Sequence, residues 1–203
     1  MIYTKKNQRL TIDYDTDSES PREWSNLGYF ITCDNKYNSP DDLEPLVEVI
    51  KKAGDKAISQ IDHIKMIKNR FNNETVLEEI IAIFPIVKFE HGNVNYSLGS
   101  KHGFDYSNNG FYIITDKTQK ELGVKPKDFK KVIKQELKMY NKYVNGEVYS
   151  FTLEEKQPDN ICKTCQHNSG GKYEQIDAVC NFYSVNDIFD HIGENEKDWK
   201  ELE

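Results

Sequence analysis

Two cysteines and a histidine lie within seven residues of this chain, in the segment ICKTCQH at residues 161–167. Cys180 follows on a predicted strand, fifteen residues after Cys165. Thiolates and an imidazole at this spacing suit a tetrahedral zinc ion, because a CxxC turn lets both sulfurs face one metal and a returning strand can bring a further ligand. Four such ligands leave no open coordination position, so the ion would stabilise a loop and would not activate water.

Two other interpretations of this segment stay open: a redox-active cysteine pair and a set of unliganded thiols. A redox CxxC normally begins a helix in a thioredoxin-like βαβ unit, whereas Asp159-Asn160 and Gly170-Gly171 flank this one and predict a loop. Disulfides are disfavoured because the first residues, MIYTKKNQRL, lack the apolar run of a secretion signal. We expect a structural zinc site whose ligands are Cys162, Cys165, His167 and Cys180.

A second group of chemically capable side chains surrounds a bend rich in Gly and Ser, FEHGNVNYSLGSKHGFD. His91, His102 and Asp105 could form a hard-metal or acid–base site if the bend brings them together. The chain has none of the spacings HxH, HExxH or HxD. Polar loop residues that satisfy backbone groups are therefore the favoured interpretation.

Charge is distributed unevenly along the chain, whose formal net charge is −7. Residues 116–144 hold nine lysines against four acids, and residues 187–203 hold seven acids against two lysines. This pattern predicts a basic stripe that includes Lys130, Lys131 and Lys134, and a separate acidic surface. A solvated helix face is the commonest meaning of such a stripe, and a nucleic acid or an acidic protein partner is the alternative.

An acidic, turn-rich segment, DYDTDSESPREWSNLG, precedes the second β-prone run. Trp24 within it either fills the core or anchors an interface. We expect it to fill the core, because Leu27 follows at a distance that lets both side chains turn inward. If the segment instead contacts a protein partner, the groups that it offers are Trp24, Asp13, Asp15, Asp17 and Glu19.

Apolar periodicity predicts the elements that position these side chains. Strands are expected at RLTIDYD, GYFITC, PIVKFEHG, VNYSLG, GFYIITD, EVYSFTLEE and YEQIDAVCNFY. Helices are expected over residues 40–53, 56–71, 75–83, 118–123, 127–144 and 185–193. Strands, then helices, then strands again indicate an α+β fold, a mostly antiparallel sheet packed by two to four helices, with a small zinc-knuckle-like loop.

The length of 203 residues and the 37% hydrophobic content support one globular domain over residues 1–193. The metal clip would be an insertion at 160–181, and residues 194–203 would form an acidic tail. Because no apolar run approaches the length of a membrane span, we expect a soluble protein with no membrane partner.

Five segments carry a family resemblance, and they are SPREWSNLGYFITCDNKY, FEHGN, GFDYSNNGFYIITDKTQKELG, MYNKYVNGEVYSFTLEE and DAVCNFY. Their order and spacing, over roughly residues 13–192, resemble a family of uncharacterised proteins common in phages and other mobile elements of bacteria. The family patterns are NPREWDNLG, YDHSG, WDSGQVGFIYVSKE, ETYDQYLxGEVYGFxIE and DSCWGFYG. This chain departs from them at Phe104, where the family has Trp, and at CKTCQH, which replaces a short loop.

The resemblance implies a setting: an accessory protein that acts in the cytoplasm of a bacterial host. It further suggests an anti-CRISPR-like factor, a stoichiometric inhibitor that binds a host defence nuclease such as a Cas effector. An acidic surface can occupy a channel that normally takes nucleic acid.

Two other functions stay open. One is a nucleic-acid-associated phage protein that uses the lysine stripe of residues 117–142, and the other is a metal-dependent enzyme with a site near His91, His102 and Asp105. No GxSxG, no Walker loop and no GxGxxG after a strand is present, so no catalytic residue is assigned.

Overall fold

The computed structural model describes residues 1–32, 38–41, 65, 79–158 and 171–202. These residues contain nine strands in two antiparallel sheets and three α-helices, which confirms the α+β class. The chain divides into two compact units, Met1–Glu19 with Lys142–Glu203 and Ser20–Asn141. In the described part of the chain, no helix is both long and apolar enough to cross a membrane.

The first unit is built on a five-stranded sheet with the order β8-β7-β2-β1-β9. Its strands are β1 Ile2–Lys5, β2 Gln8–Tyr14, β7 Tyr149–Lys156, β8 Tyr173–Phe182 and β9 Lys200–Leu202. Alternation along β2 and β7 turns one face of the sheet inward. The core on this face consists of Tyr3, Leu10, Ile12, Phe151, Leu153, Ile188, Phe189 and Trp199.

A short helix, α3, covers the inner face of this sheet over Val185–His191. Ser184 caps it, because its side-chain oxygen accepts a hydrogen bond from the Asp187 N–H at 3.2 Å. The chain then forms a 3₁₀ turn at Glu196–Asp198 and ends in β9. Trp199, between these two elements, is buried in the core. The sequence analysis assigned no strand to either β1 or β9.

The second unit is built on a four-stranded sheet with the order β3-β6-β4-β5. Its strands are β3 Tyr29–Thr32, β4 Ile80–His91, β5 Asn93–Leu98 and β6 Tyr106–Thr115. Two helices follow β6 directly: α1 over Asp116–Leu122 and α2 over Phe129–Val144. Phe111 to Ile114 are all fully buried, so β6 is the most enclosed strand of this sheet.

Local chemistry explains both helices. Thr115 and Thr118 form a capping box at the start of α1, and Gly123 ends the helix in the left-handed conformation at φ 62°. Helix α2 buries Phe129, Ile133, Leu137 and Tyr140, which recur at helical spacing. The Phe30 ring of β3 meets the Tyr140 ring edge-on, with centroids 5.5 Å apart. These contacts place α2 on the sheet of the second unit.

Among the predicted helices, those at 118–123, 127–144 and 185–193 are confirmed. Those at 40–53 and 56–71 lie almost entirely outside the described residues. The helix predicted over 75–83 is wrong in its last four residues, because Ile80 begins β4 and pairs with Thr115 of β6. A run of isoleucines suits either a buried helix or a buried strand, and the neighbouring strand decides between them.

Candidate interaction surfaces

The end of the first sheet where β2 stops and β7 starts presents an aromatic pair. Tyr14 and Tyr149 are directly opposite in the antiparallel register. Their rings stack with centroids 5.3 Å apart and planes 28° apart. The core of this unit reaches only as far as Ile12 along β2, so Tyr14 lies beyond it and is 66% exposed. Burial, followed by the neighbouring Tyr14 and Glu147, raises the pKa of Tyr149.

Exposed carboxylates surround this pair. Asp13, Asp17, Glu19 and Glu147 are all exposed, and none of them forms an ion pair with another described residue. We call this group, together with Tyr14 and Tyr149, the acidic end of the first sheet. It brings together three of the four acids that the sequence analysis selected as partner contacts.

Asp15, the fourth selected acid, has a structural role. Its Oδ1 accepts a hydrogen bond from the Asp17 N–H at 3.2 Å, and its Oδ2 accepts one from the Asn181 N–H at 3.0 Å. Asn181 adopts a positive φ of 66°, a conformation that asparagine tolerates better than most residues. Its Oδ1 in turn accepts a hydrogen bond from the Glu19 N–H at 3.2 Å. Asp15 and Asn181 therefore hold the loop that presents the exposed acids.

The two units differ sharply in charge. The first unit contains 17 acids against nine Lys and Arg residues, a formal net charge of −8. The second contains 17 acids against 18 Lys and Arg residues, a formal net charge of +1. The whole of the chain's negative charge excess thus belongs to the first unit.

A buried arginine organises the SPREWSNLG segment of the second unit. The side chain of Arg22 is 5% exposed, and each of its five N–H groups has an acceptor. The Nε and Nη2 groups donate to the Asp41 carboxylate, and Nη2 also donates to the Gly28 carbonyl at 2.6 Å. The Nη1 group donates to Asn26 at 3.0 Å and to Glu136 at 3.1 Å.

Glu136 completes this network from helix α2. Its Oε1 accepts a hydrogen bond from the Leu27 N–H at 2.9 Å, and its Oε2 accepts one from the Tyr112 hydroxyl. Burial and the charge of Glu136 raise the pKa of Tyr112. Burial lowers the pKa of Arg22, but hydrogen bonds and charges from Asp41 and Glu136 outweigh it and the net shift is upward. The network fixes the loop and leaves Arg22 no free donor for a ligand.

Trp24 lies in this loop and does not fill the core. Its side chain is 40% exposed, whereas Leu27 is fully buried, so the expected core role of Trp24 is wrong. The buried Arg22 and Asn26 occupy the inward positions of the loop and turn Trp24 outward, where it lines an open recess of about 460 Å³. Its exposure leaves the alternative, an interface role, as a prediction.

The network was not recognised in the sequence, although one signal points to it. Glu136 is the single acid at an inward position of α2, between Ile133 and Leu137 on the one side and Tyr140 on the other. A carboxylate on the apolar stripe of a helix needs a buried cation or several hydrogen-bond donors. The sequence therefore indicates that a partner exists, but it does not indicate that the partner is Arg22.

The lysine stripe runs along the opposite face of α2. Lys130, Lys131, Lys134 and Lys138 are exposed, and none forms an ion pair with a described acid. Lys120 differs, because it pairs with Asp116 one helical turn away at 2.9 Å. The unpaired positive charge of the second unit is thus concentrated on α2.

The predicted polar site at the bend is only partly assembled. The His91 Nδ1 lies 3.5 Å from the Asp105 Oδ2, and the His91 side chain is 77% exposed. His102 is exposed as well. Among the described residues, no three His, Cys, Asp or Glu side chains converge on a position that could hold a metal ion.

The predicted zinc ligands Cys162, Cys165 and His167 lie outside the described residues. Cys180 is exposed on β8, with its thiol reduced. Zinc binding by this set stays a prediction. No protein-family model, no curated protein and no solved structure matches this chain.

Proposed function

We propose that this protein is a stoichiometric inhibitor of a host defence nuclease, encoded by a phage or another mobile element and acting in the bacterial cytoplasm. Its partner would be an anti-CRISPR-type target, a Cas effector whose nucleic-acid channel it blocks. The acidic end of the first sheet is the contact surface in this proposal.

The stacked Tyr14–Tyr149 pair among unpaired carboxylates is the observation that carries the proposal. A channel for nucleic acid is lined with cations that neutralise phosphates and with groups that stack on bases. Carboxylates at the acidic end can meet the former, and two flat rings can meet the latter. The net charge of −8 on this unit favours steering toward such a channel.

Inhibition of DNA cleavage by purified Cas effectors and restriction enzymes tests the proposal. We expect one effector to form a 1:1 complex whose cleavage activity falls in proportion to added protein. Asp13→Asn, Asp17→Asn and Glu19→Gln together should weaken this complex about tenfold, because they remove charge from the contact.

A matched triple variant controls for net charge. Glu174, Asp190 and Glu201 are exposed acids of the same unit, so Glu174→Gln, Asp190→Asn and Glu201→Gln remove the same charge elsewhere and should leave binding nearly unchanged. Absence of a complex with every effector, together with no protection of phage in cells, would contradict the proposed function.

We further propose that Cys162, Cys165, His167 and Cys180 hold a structural zinc ion. Such an ion would fix the connection between β7 and β8 and would take no part in a reaction. Elemental analysis should find one zinc per chain, and less in Cys162→Ser. An unchanged zinc content in that variant would exclude this ligand set.

Association with nucleic acid is the second candidate function, and the unpaired lysines of α2 favour it. Retention on DNA should then fall steeply with salt, because each neutralised phosphate releases counterions. Replacing Lys130, Lys131 and Lys134 by Gln should reduce the slope by about three contacts. Retention that is insensitive to salt would exclude this function.

A further inference from the structure

A small apolar recess lies within the second unit, between β4, the end of β5 and helix α2. Its volume is about 320 Å³, near the lower end of the range of about 300–1,000 Å³ for small-ligand sites. The described residues that line it are Phe84, Pro85, Leu98, Gly99, Lys130 and Lys134. Four of these six residues are apolar or lack a side chain, and the other two are cations.

Strand lengths explain why the recess exists. Pairing between β4 and β5 begins at Ile86↔Leu98, whereas β4 continues back to Ile80. Phe84 and Pro85 therefore have no partner on β5. The Gly99 N–H donates to the Pro85 carbonyl at 2.8 Å, and its φ of +106° turns the chain away from β4. A Cβ at Gly99 would meet nothing within 4 Å, so this corner is open.

Two lysines border this apolar floor. Lys130 and Lys134 are four residues apart on α2 and thus share one face of the helix. Both are exposed and neither forms an ion pair with a described acid. Two ammonium groups about 6 Å apart can both reach one carboxylate, sulfonate or phosphate.

We propose that this recess binds a small amphiphilic anion. Its apolar body, the size of a short acyl chain or an aromatic ring, lies against Phe84, Pro85 and Leu98. Its acidic group lies between Lys130 and Lys134. This site is independent of the proposed inhibition, whose contact surface belongs to the other unit.

Charge and polarity together select this class of ligand. An unmodified neutral hydrocarbon would leave the two lysines without a counter-charge. A nucleobase would place its hydrogen-bonding edge against Phe84, Pro85 and Leu98, and an unpaired polar group removed from water is unfavourable. An amphiphilic anion satisfies both parts of the lining.

Fluorescence titration of the full chain with 8-anilinonaphthalene-1-sulfonate tests the site. This probe combines aromatic rings with a sulfonate, and we expect saturable binding of one molecule per chain. Octanoate should displace it, whereas 1-octanol, which lacks the charge, and inorganic phosphate, which lacks the apolar body, should displace it at least about tenfold less well. Displacement by 1-octanol as effective as by octanoate would overturn the proposal.

A charge-matched pair of variants locates the site. Lys130→Gln with Lys134→Gln should weaken probe binding about tenfold, because the two contacts at the border are lost. Lys127→Gln with Lys131→Gln removes the same charge near the same end of α2, but from residues that do not line the recess, and should change binding less than twofold. Equal weakening in both variants, or no saturable binding to the unaltered protein, would overturn the assignment. Circular dichroism of all variants should show unchanged folding.

Discussion

The two units of this protein use charged side chains in opposite ways. In the second unit, Arg22 and Glu136 are largely buried and every N–H group of Arg22 has an acceptor. In the first unit, Asp13, Asp17 and Glu19 lie at the surface without ion pairs. The same residue types therefore hold a loop in one unit and remain available to a partner in the other.

The physical difference lies in solvation. A charge removed from water must be compensated by fixed partners, so loss of one partner leaves an uncompensated charge. A carboxylate at the surface keeps its hydration, and its removal changes stability little. Buried charges thus report on folding, and exposed charges report on binding. Three substitutions test this distinction.

The largest effect is expected at Glu136. Glu136→Ala leaves Arg22, the Leu27 N–H and the Tyr112 hydroxyl without their shared acceptor, and should lower the free energy of unfolding by about 3–5 kcal/mol. Glu136→Gln keeps one acceptor and should cost less. Glu121→Ala, at an exposed position of α1, should change stability by no more than about 0.5 kcal/mol. Urea denaturation measures all three, and equal effects of the two alanine variants would remove the distinction.

A smaller effect is expected at Asp15, the structural acid of the first unit. Asp15→Ala removes the acceptor for the Asp17 and Asn181 N–H groups and should cost about 1–2 kcal/mol. Its neighbour Asp13 makes no such contact, so Asp13→Ala should stay within about 0.5 kcal/mol. If the two variants unfold at the same urea concentration, Asp15 does not hold the loop.

The smallest effect concerns pH and the interior of the first unit. Burial raises the pKa of Tyr183 to about 12, whereas an exposed tyrosine ionises near pH 10. The unfolded chain loses this proton first, so the stability contribution is complete below about pH 10 and is lost as the pH rises toward 12. Tyr183→Phe should therefore make the decline of stability across this interval shallower. Urea midpoints at several pH values would show it, and an identical decline in both proteins would contradict it.

Much of the fold was accessible from apolar periodicity. The inward face of α2, with Phe129, Ile133 and Leu137, and the alternation along β2 and β7 are both visible in the sequence and confirmed. Strands β1 and β9 were missed because each is at most four residues long, too short for periodicity to stand out. Their pairing with each other joins residues about two hundred positions apart, which no local pattern records.

The candidate surfaces were accessible in part. Composition located the acids of residues 13–19 and the lysines of α2, and the structure adds which of them are exposed. The stacked tyrosine pair depends on the β2–β7 register, since Tyr14 and Tyr149 are far apart in the chain. The zinc ligands other than Cys180 lie outside the described residues, so that prediction depends on the sequence alone.

The sequence by itself determined the α+β class, the position of most strands and described helices, and the uneven charge, because these are properties of neighbouring residues. Only the tertiary structure decided that Glu136 meets Arg22, 114 positions away, that Asp15 is a structural acid, and that Trp24 faces outward. Burial of a polar group depends on partners that folding brings together, and a linear pattern does not contain their positions.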